Sequence, residues 1–339
     1  MTKNIRVGVI GVGHLGRFHA QKYAAMDHVT LIGVADINNK RAAMVAKESN
    51  TTPYSDYRQL VDQVDAVSIV TPTTAHFEVG SYCLEHGVDV MMEKPITSTL
   101  DEANALVNLA AKKECILQVG LVERFNPAMR AAQERLTLPL FIEAKRVGVF
   151  TRRATDVDVI IDLMIHDLDI ILSLVKSPIS SISAAGAPVL TPHTDIANAH
   201  IVFQNGCTAN VTASRVSPTV ERRMRLFQPG ECLTIDFHGK KCSTMQLPAN
   251  GDEDTQSPII TELEVVLTDA LEQELLEFTH CVRSRSNPAV TGAQGRDSLA
   301  MALAVIAAVQ KNTRQLLQTL CASGADSPLL RQSELLCPK

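Results

Sequence analysis

Ile5-Arg6-Val7-Gly8-Val9-Ile10-Gly11-Val12-Gly13-His14-Leu15-Gly16 is the stretch that decides the fold. Its first half is an apolar, β-branched run of the kind that forms a strand buried on both faces. Its second half is a Gly-x-Gly-x-x-Gly, a weak signal alone, but here it follows a strand and opens a helix at about His14. A second apolar run, Val29–Ala35, ends at the acidic Asp36, 20 residues past Gly16. That context identifies a dinucleotide-binding turn. Gly11 allows the tight turn, Gly13 lets backbone approach a pyrophosphate, and Gly16 lets helix and sheet pack closely. Backbone N–H groups around Val12, His14 and Leu15 then meet the phosphates at the helix N-terminus. Asp36 is suited to the ribose hydroxyls of adenosine and repels a 2′-phosphate. The expected cofactor is therefore NAD, although Lys40-Arg41 stand close enough in sequence to meet a phosphate.

Outward from this turn, the first ~120 residues alternate short β-branched runs with longer amphipathic ones, as in a parallel sheet flanked by helices. Strands are expected at 66–70, 88–92 and 116–119. A helix should open at Ser98-Thr99, where Glu102 has capping-box spacing from Thr99. After Asn126-Pro127 the rhythm changes. A helix over 160–175 precedes alternating segments at 199–203, 208–212, 224–227 and 233–237, with Gln204-Asn205-Gly206 as a turn. This predicts consecutive antiparallel strands. Helical runs follow at about 268–284 and 295–311. The expected class is α/β: a doubly wound Rossmann domain over 1–121, then an α+β domain with a large, mainly antiparallel open sheet over 122–315. Residues 316–339 read as a tail.

Composition narrows the function. A chain of 339 residues suits two domains, and a net charge of -5 gives no support to a nucleic-acid or polybasic membrane surface. No apolar run approaches the ~20 residues of a membrane span. The N-terminus enters a strand directly, so a cytoplasmic protein without a signal peptide is expected. The eight cysteines form no C-x-x-C pair, which favours reduced, mostly buried thiols over a zinc or redox site.

Two later segments make the assignment specific. Val70-Thr71-Pro72-Thr73-Thr74-Ala75-His76 follows one strand, and Met92-Glu93-Lys94-Pro95 ends the next. A strand ending in Glu-Lys-Pro at this point resembles the Gfo/Idh/MocA oxidoreductases, and the likeness runs to about residue 312. Thr73 departs from the Asn that many members carry. The resemblance implies cofactor contacts at Thr71, Pro72, His76, Glu93 and Lys94. It also implies that Lys94 donates to the reacting sugar oxygen. Ligands of open α/β sheets bind at the carboxyl ends of strands, where Lys94 falls.

Asp158-Val-Ile-Ile-Asp162-Leu-Met-Ile-His166-Asp167-Leu-Asp169 is the other informative stretch. Asp162, His166 and Asp169 share one helical face, and the remaining positions are mostly apolar. Polar groups on a buried helix are costly unless paired or used. The Asp-x-x-x-His spacing resembles the family's catalytic pair, with His166 as general base and Asp162 orienting its ring. Asp167 lies about 100° round the helix from His166 and stays outside that set. Binding of a metal by the trio is disfavoured, because no further ligand motif is clustered nearby and hydride transfer needs no metal.

The run Gly120-Leu-Val-Glu123-Arg124-Phe125-Asn126-Pro127, with Thr212-Ala213-Ser214-Arg215, is similar to the branch of the family that oxidises the 3-hydroxyl of UDP-N-acetylglucosamine for lipid A synthesis. Substrate contacts are accordingly expected at Arg124, Asn126, Arg152, Arg153 and Arg215, beside Lys94, Asp162 and His166. Arg222, Arg223 and Arg225 add further charge suited to a diphosphate. Oxidation of a free sugar, inositol or sugar acid is the rival activity, and a non-catalytic NAD-bound regulator is the rival class. The family resemblance implies a homodimer or homotetramer built through the C-terminal sheet.

Overall fold

The computed structural model describes residues 4–152, 155–248 and 257–322. The chain divides into two compact units. One comprises Met1–Gln133 and Glu264–Ala300, the other Glu134–Leu263 and Met301–Lys339.

The first unit alternates strands and helices from its start. They are β1 (Ile5–Ile10), α1 (His14–Ala24), β2 (Val29–Ala35), α2 (Asn39–Glu48), β3 (Thr52–Tyr54) and α3 (Tyr57–Val61). There follow β4 (Ala66–Ile69), α4 (His76–Glu85), β5 (Asp89–Glu93), α5 (Leu100–Lys112), β6 (Leu117–Gly120) and α6 (Pro127–Ala132). The strands form one parallel sheet in the order β3-β2-β1-β4-β5-β6, the doubly wound order with its switch between β1 and β4. β4 and β5 are buried at every residue, as strands covered on both faces must be. The capping box of α5 forms as the sequence predicts: Glu102 N–H donates to Thr99 Oγ1 and Thr99 N–H to Glu102 Oε2.

The second unit is built on β7 (Phe141–Val147), a π-helical turn (Ile160–Met164) and α7 (Ile165–Leu174). The strands β8 (Ile179–Ala187), β9 (Ile196–Phe203), β10 (Thr208–Ser214), β11 (Glu221–Gln228), β12 (Glu231–Asp236), β13 (Lys241–Gln246) and β14 (Ile259–Glu262) complete it. They form an eight-stranded sheet in the order β14-β13-β12-β11-β7-β10-β9-β8. Every pair is antiparallel except β7 with β10. β9 and β10 alternate buried and open residues, so one face is packed and the other is not. Gly206, at φ +89°, supplies the left-handed residue of the turn between them.

Two helices follow the sheet among the described residues, α8 (Ala270–Ser284) and α9 (Gly292–Ala322). The contiguous boundary expected after residue 121 does not describe α8. Its Leu275, Phe278, Cys281 and Val282 are buried in the core of the first unit with Val7, Tyr23, Val34 and Met91. Lys22 of α1 pairs with Asp269, the N-cap of α8, at 2.7 Å, and Val119 N–H donates to Val290 O along the outer edge of β6. An amphipathic period marks a helix but not the sheet that receives its apolar face. The expected tail from residue 316 is helical as far as Ala322, and 323–339 lie outside the described residues.

Candidate active site

The Gly-rich turn has the geometry its sequence requires. Gly11 sits at φ +85°, and a Cβ there would lie 2.7 Å from Thr71 N and Val70 O. A Cβ on Gly16 would run into the Gly11 carbonyl oxygen. At Gly13 a Cβ would meet no protein atom within 4 Å, so this position faces open space at the start of α1. The turn borders a cavity of about 530 Å³ at the carboxyl ends of β1, β2 and β4, with Asp36, Ile37, Thr71 and Pro72 in its wall. Asp36 ties the turn to β2: its Oδ2 accepts Val12 N–H at 3.0 Å and its Oδ1 accepts Asn38 N–H at 2.8 Å. Arg41 lies 3.4 Å from the same carboxylate, which occupies one of the two cations that could have met a 2′-phosphate. The Val12 side chain is core, whereas His14 and Leu15 stand exposed on the first turn of α1.

A dinucleotide fits these residues. Gly13 leaves room for the pyrophosphate, Asp36 stands at the end of β2, and Thr71 Oγ1 on the cavity wall is shielded from solvent without a hydrogen-bond partner among the described residues. His76 opens α4. It is buried, with Nδ1 2.9 Å from Pro95 O and Nε2 2.9 Å from Thr71 O, so it joins the two loops that end β4 and β5. Burial holds its pKa below the usual range, against the opposing pull of the two carbonyls.

Glu93 also turns into the protein. Its carboxylate lies 3.2 Å from the fully buried His19 Nε2 and accepts the Lys94 N–H at 3.3 Å. A Cβ on Gly120 would come within 2.9 Å of it. Lys94 follows as a half-buried residue between buried Glu93 and Pro95, with a cis peptide bond to Pro95.

In the second unit the helix expected over 160–175 begins with a wider π turn that contains Asp162. Such turns are rare and often sit at functional positions. Asp162 and His166 are both half-buried, on the side of this helix left partly open, while Asp167 and Asp169 are buried. Asp167 makes a bidentate pair with the buried Arg146 of β7, at 2.9 and 2.8 Å.

Several residues expected to contact substrate also make contacts within the fold. Asn126 is buried; its Oδ1 caps α6 by accepting Ala128 N–H, and its Nδ2 donates to Glu123 at 2.9 Å. Arg215 is buried too, donating to Val157 O at 2.7 Å and lying 3.7 Å from Asp195. These bonds tie both side chains into the fold. Arg225 pairs with Glu143 at 3.1 Å, and Arg223 with Glu221, which Lys145 also shares, so this part of the basic cluster is partly offset on its own sheet. Arg124 is half-buried, Arg152 is exposed, and Arg153 lies outside the described residues. Arg146 was missed by the sequence reading. Its signal was the alternation of Ile142, Ala144 and Arg146 on one face of β7, which puts a charge where an apolar residue belongs.

Comparison with known proteins follows the same division. Residues 5–121 match the model of an oxidoreductase family with an NAD-binding Rossmann fold, and residues 135–241 match the GFO/IDH/MocA C-terminal domain. The chain is 38% identical over 316 residues to UDP-N-acetylglucosamine 3-dehydrogenase of Acidithiobacillus ferrooxidans, covering 91% of this chain and 98% of that one. It is 31% identical over 330 residues to scyllo-inositol 2-dehydrogenase (NAD(+)) of Bacillus subtilis, covering 90% and 94%. The solved structure of the Acidithiobacillus enzyme superposes with a TM-score of 0.87 at 37% identity, covering 91% of this chain and 99% of that one. With the glycine turn, the Asp36 tether and the Glu-Lys-Pro strand end already in place, these matches settle the class: the chain belongs to the GFO/IDH/MocA family, as an NAD-binding oxidoreductase.

Proposed function

We propose that this chain oxidises the 3-hydroxyl of UDP-N-acetylglucosamine to a ketone, for later amination in amino-sugar (lipid A) synthesis. The observation that carries the substrate is the near full-length likeness to the Acidithiobacillus enzyme named for that reaction. NAD supplies the hydride acceptor when bound. The turn shaped by Gly11 and Gly16 would hold its pyrophosphate at Gly13, Asp36 would hold its adenosine ribose, and Thr71 and Pro72 would border it.

The chain's own chemistry is proton transfer and charge stabilisation. His166 removes the hydroxyl proton, and Asp162, on the same side of the helix, orients the imidazole and stabilises its charged form. Lys94 donates to the reacting oxygen and offsets the alkoxide charge that develops on it. Arg124, Arg152 and Arg153 remain the candidates for the diphosphate. Glu93 and His76 act from behind, by fixing the Lys94-Pro95 and Thr71-Pro72 loops. The six cysteines free of disulfides among the described residues suit the cytoplasm we assign it to: burial pushes the Cys83 thiol up to about 12 and Cys242 to about 11, which keeps both inert. We expect the partly open face of the eight-stranded sheet to pair with a second copy, measurable by light scattering.

The deciding assay follows NADH absorbance with NAD and a panel of UDP-N-acetylglucosamine, UDP-glucose, free sugars and inositols, with an aminotransferase and glutamate to draw off the ketone. NADH formed with UDP-N-acetylglucosamine alone is the expected result. Turnover of an inositol instead favours the second reading, which rests on the 31% identical scyllo-inositol enzyme. Silence with NAD binding intact points first to a substrate outside the panel and second to a regulator. Lys94→Met and His166→Ala should each lower turnover about 10²-fold while NAD affinity stays near that of the parent. Parental turnover in both would remove the proposed acid–base roles.

A further inference from the structure

Arg146 is the largest fully buried side chain in the described chain, 2% exposed, on the packed face of a sheet strand. A guanidinium keeps its charge at any pH a protein survives, so this position holds a permanent cation. Its counter-charge is Asp167, itself 1% exposed. Nε donates to Oδ2 at 2.9 Å and a terminal nitrogen to Oδ1 at 2.8 Å, with the guanidinium carbon 5.4 Å from the centre of the Phe237 ring. Two apolar side chains of similar volume would fill the same space with no desolvation cost. What they could not supply is direction. Two parallel hydrogen bonds between planar groups fix both the distance and the rotation of one element against another.

The rotation matters because Asp167 is the neighbour of His166. Fixing the azimuth of Asp167 on α7 fixes that of His166, about 100° away. It also matters because a π turn directly precedes α7. That winding is rare, and sliding it into α-helix would shift Asp162 around the helix axis relative to His166. The turn is held on its other side too: Arg215 donates to Val157 O, and Asp158 Oδ1 accepts Thr194 N–H at 2.9 Å. The π turn thus lies between two sets of ties, one of them the Arg146–Asp167 fork. We propose that Arg146, acting through Asp167, is a positioning residue that aims His166 and keeps the π turn carrying Asp162 in register.

The inference rests on the reading of His166 as the base, so His166→Ala is measured beside it. Two variants of the full chain test Arg146. Arg146→Met with Asp167→Leu replaces the pair by apolar groups, and Arg146→Lys keeps the charge while losing the fork. With UDP-N-acetylglucosamine and NAD, both are expected to lower kcat about tenfold or more with KM within roughly twofold of the parent. NAD affinity should not change. Independently of turnover, amide hydrogen exchange over Ile160–Met164 should quicken in Arg146→Lys while β9 and β10 keep their protection. If His166→Ala is impaired but both Arg146 variants turn over at the parental rate, this inference alone is overturned. If His166→Ala turns over normally, the base assignment fails and the inference falls with it. Unchanged exchange over the π turn in Arg146→Lys also overturns it, whatever the activity.

Discussion

At Gly13 and Gly16 the same added methyl group has opposite consequences. A Cβ on Gly13 meets no protein atom, whereas one on Gly16 meets the Gly11 carbonyl oxygen. Gly13→Ala is therefore expected to keep the parental melting temperature and bind NAD about tenfold more weakly, which corresponds to about 1.4 kcal/mol. Gly16→Ala should cost about 1–3 kcal/mol of stability, because backbone must shift. Calorimetric titration and thermal melts check the pair; parental NAD affinity in Gly13→Ala would take that residue out of the cofactor cleft. These glycines and Asp36 were readable from sequence because their roles follow from local backbone geometry and a fixed spacing. The bonds that Asn126 and Arg215 make within the fold were not. A polar side chain near a cleft reads the same whether it faces a ligand or caps a helix, and the partners of Arg215 are 58 and 20 residues away in sequence.

Between β8 and β9 the chain folds over a single carboxylate. Asp195, fully buried, accepts N–H bonds from Val189, Leu190 and Thr191 and a hydroxyl bond from Thr191. Burial alone would raise its pKa, but these donors outweigh it and hold the carboxyl below the usual range. The stabilisation that results is present in full above the unfolded carboxylate pKa of about 3.9 and lost as pH falls through the lower folded value. Asp195→Asn should thus cost about 2 kcal/mol in urea unfolding near neutral pH, and the difference should shrink below about pH 4. A difference that does not vary with pH would mean the charge has no part in it. Among the elements, β9 to β12 were legible because their alternation is regular. β8 is rich in Ser and Ala, and β3 is a three-residue edge strand containing Pro53, so neither carries the pattern. The π turn was invisible because Asp162 and His166 have the same spacing in either winding.

At the scale of the whole chain, the first unit is not continuous in sequence. Its core needs Leu275, Phe278, Cys281 and Val282, which arrive after the second unit's sheet has been laid down. A fragment ending at Gln133 is expected to be expanded, to bind a hydrophobic dye and to hold NAD poorly. Joining residues 1–133 to 264–300 through a short Gly/Ser linker should restore a cooperative melt and NAD binding. Independent folding of the shorter fragment would show that α8 is dispensable. Contiguous boundaries were all the sequence could offer, since periodicity marks an apolar face without naming the surface that covers it. The order of the chain also sets a timetable on the ribosome. β6 is synthesised roughly 150 residues before the last of the α8 core residues, on the order of ten seconds at ordinary elongation rates. For that interval the newborn sheet carries an uncovered apolar face, and keeping it from neighbouring nascent chains falls to the chaperones that meet it at the exit tunnel.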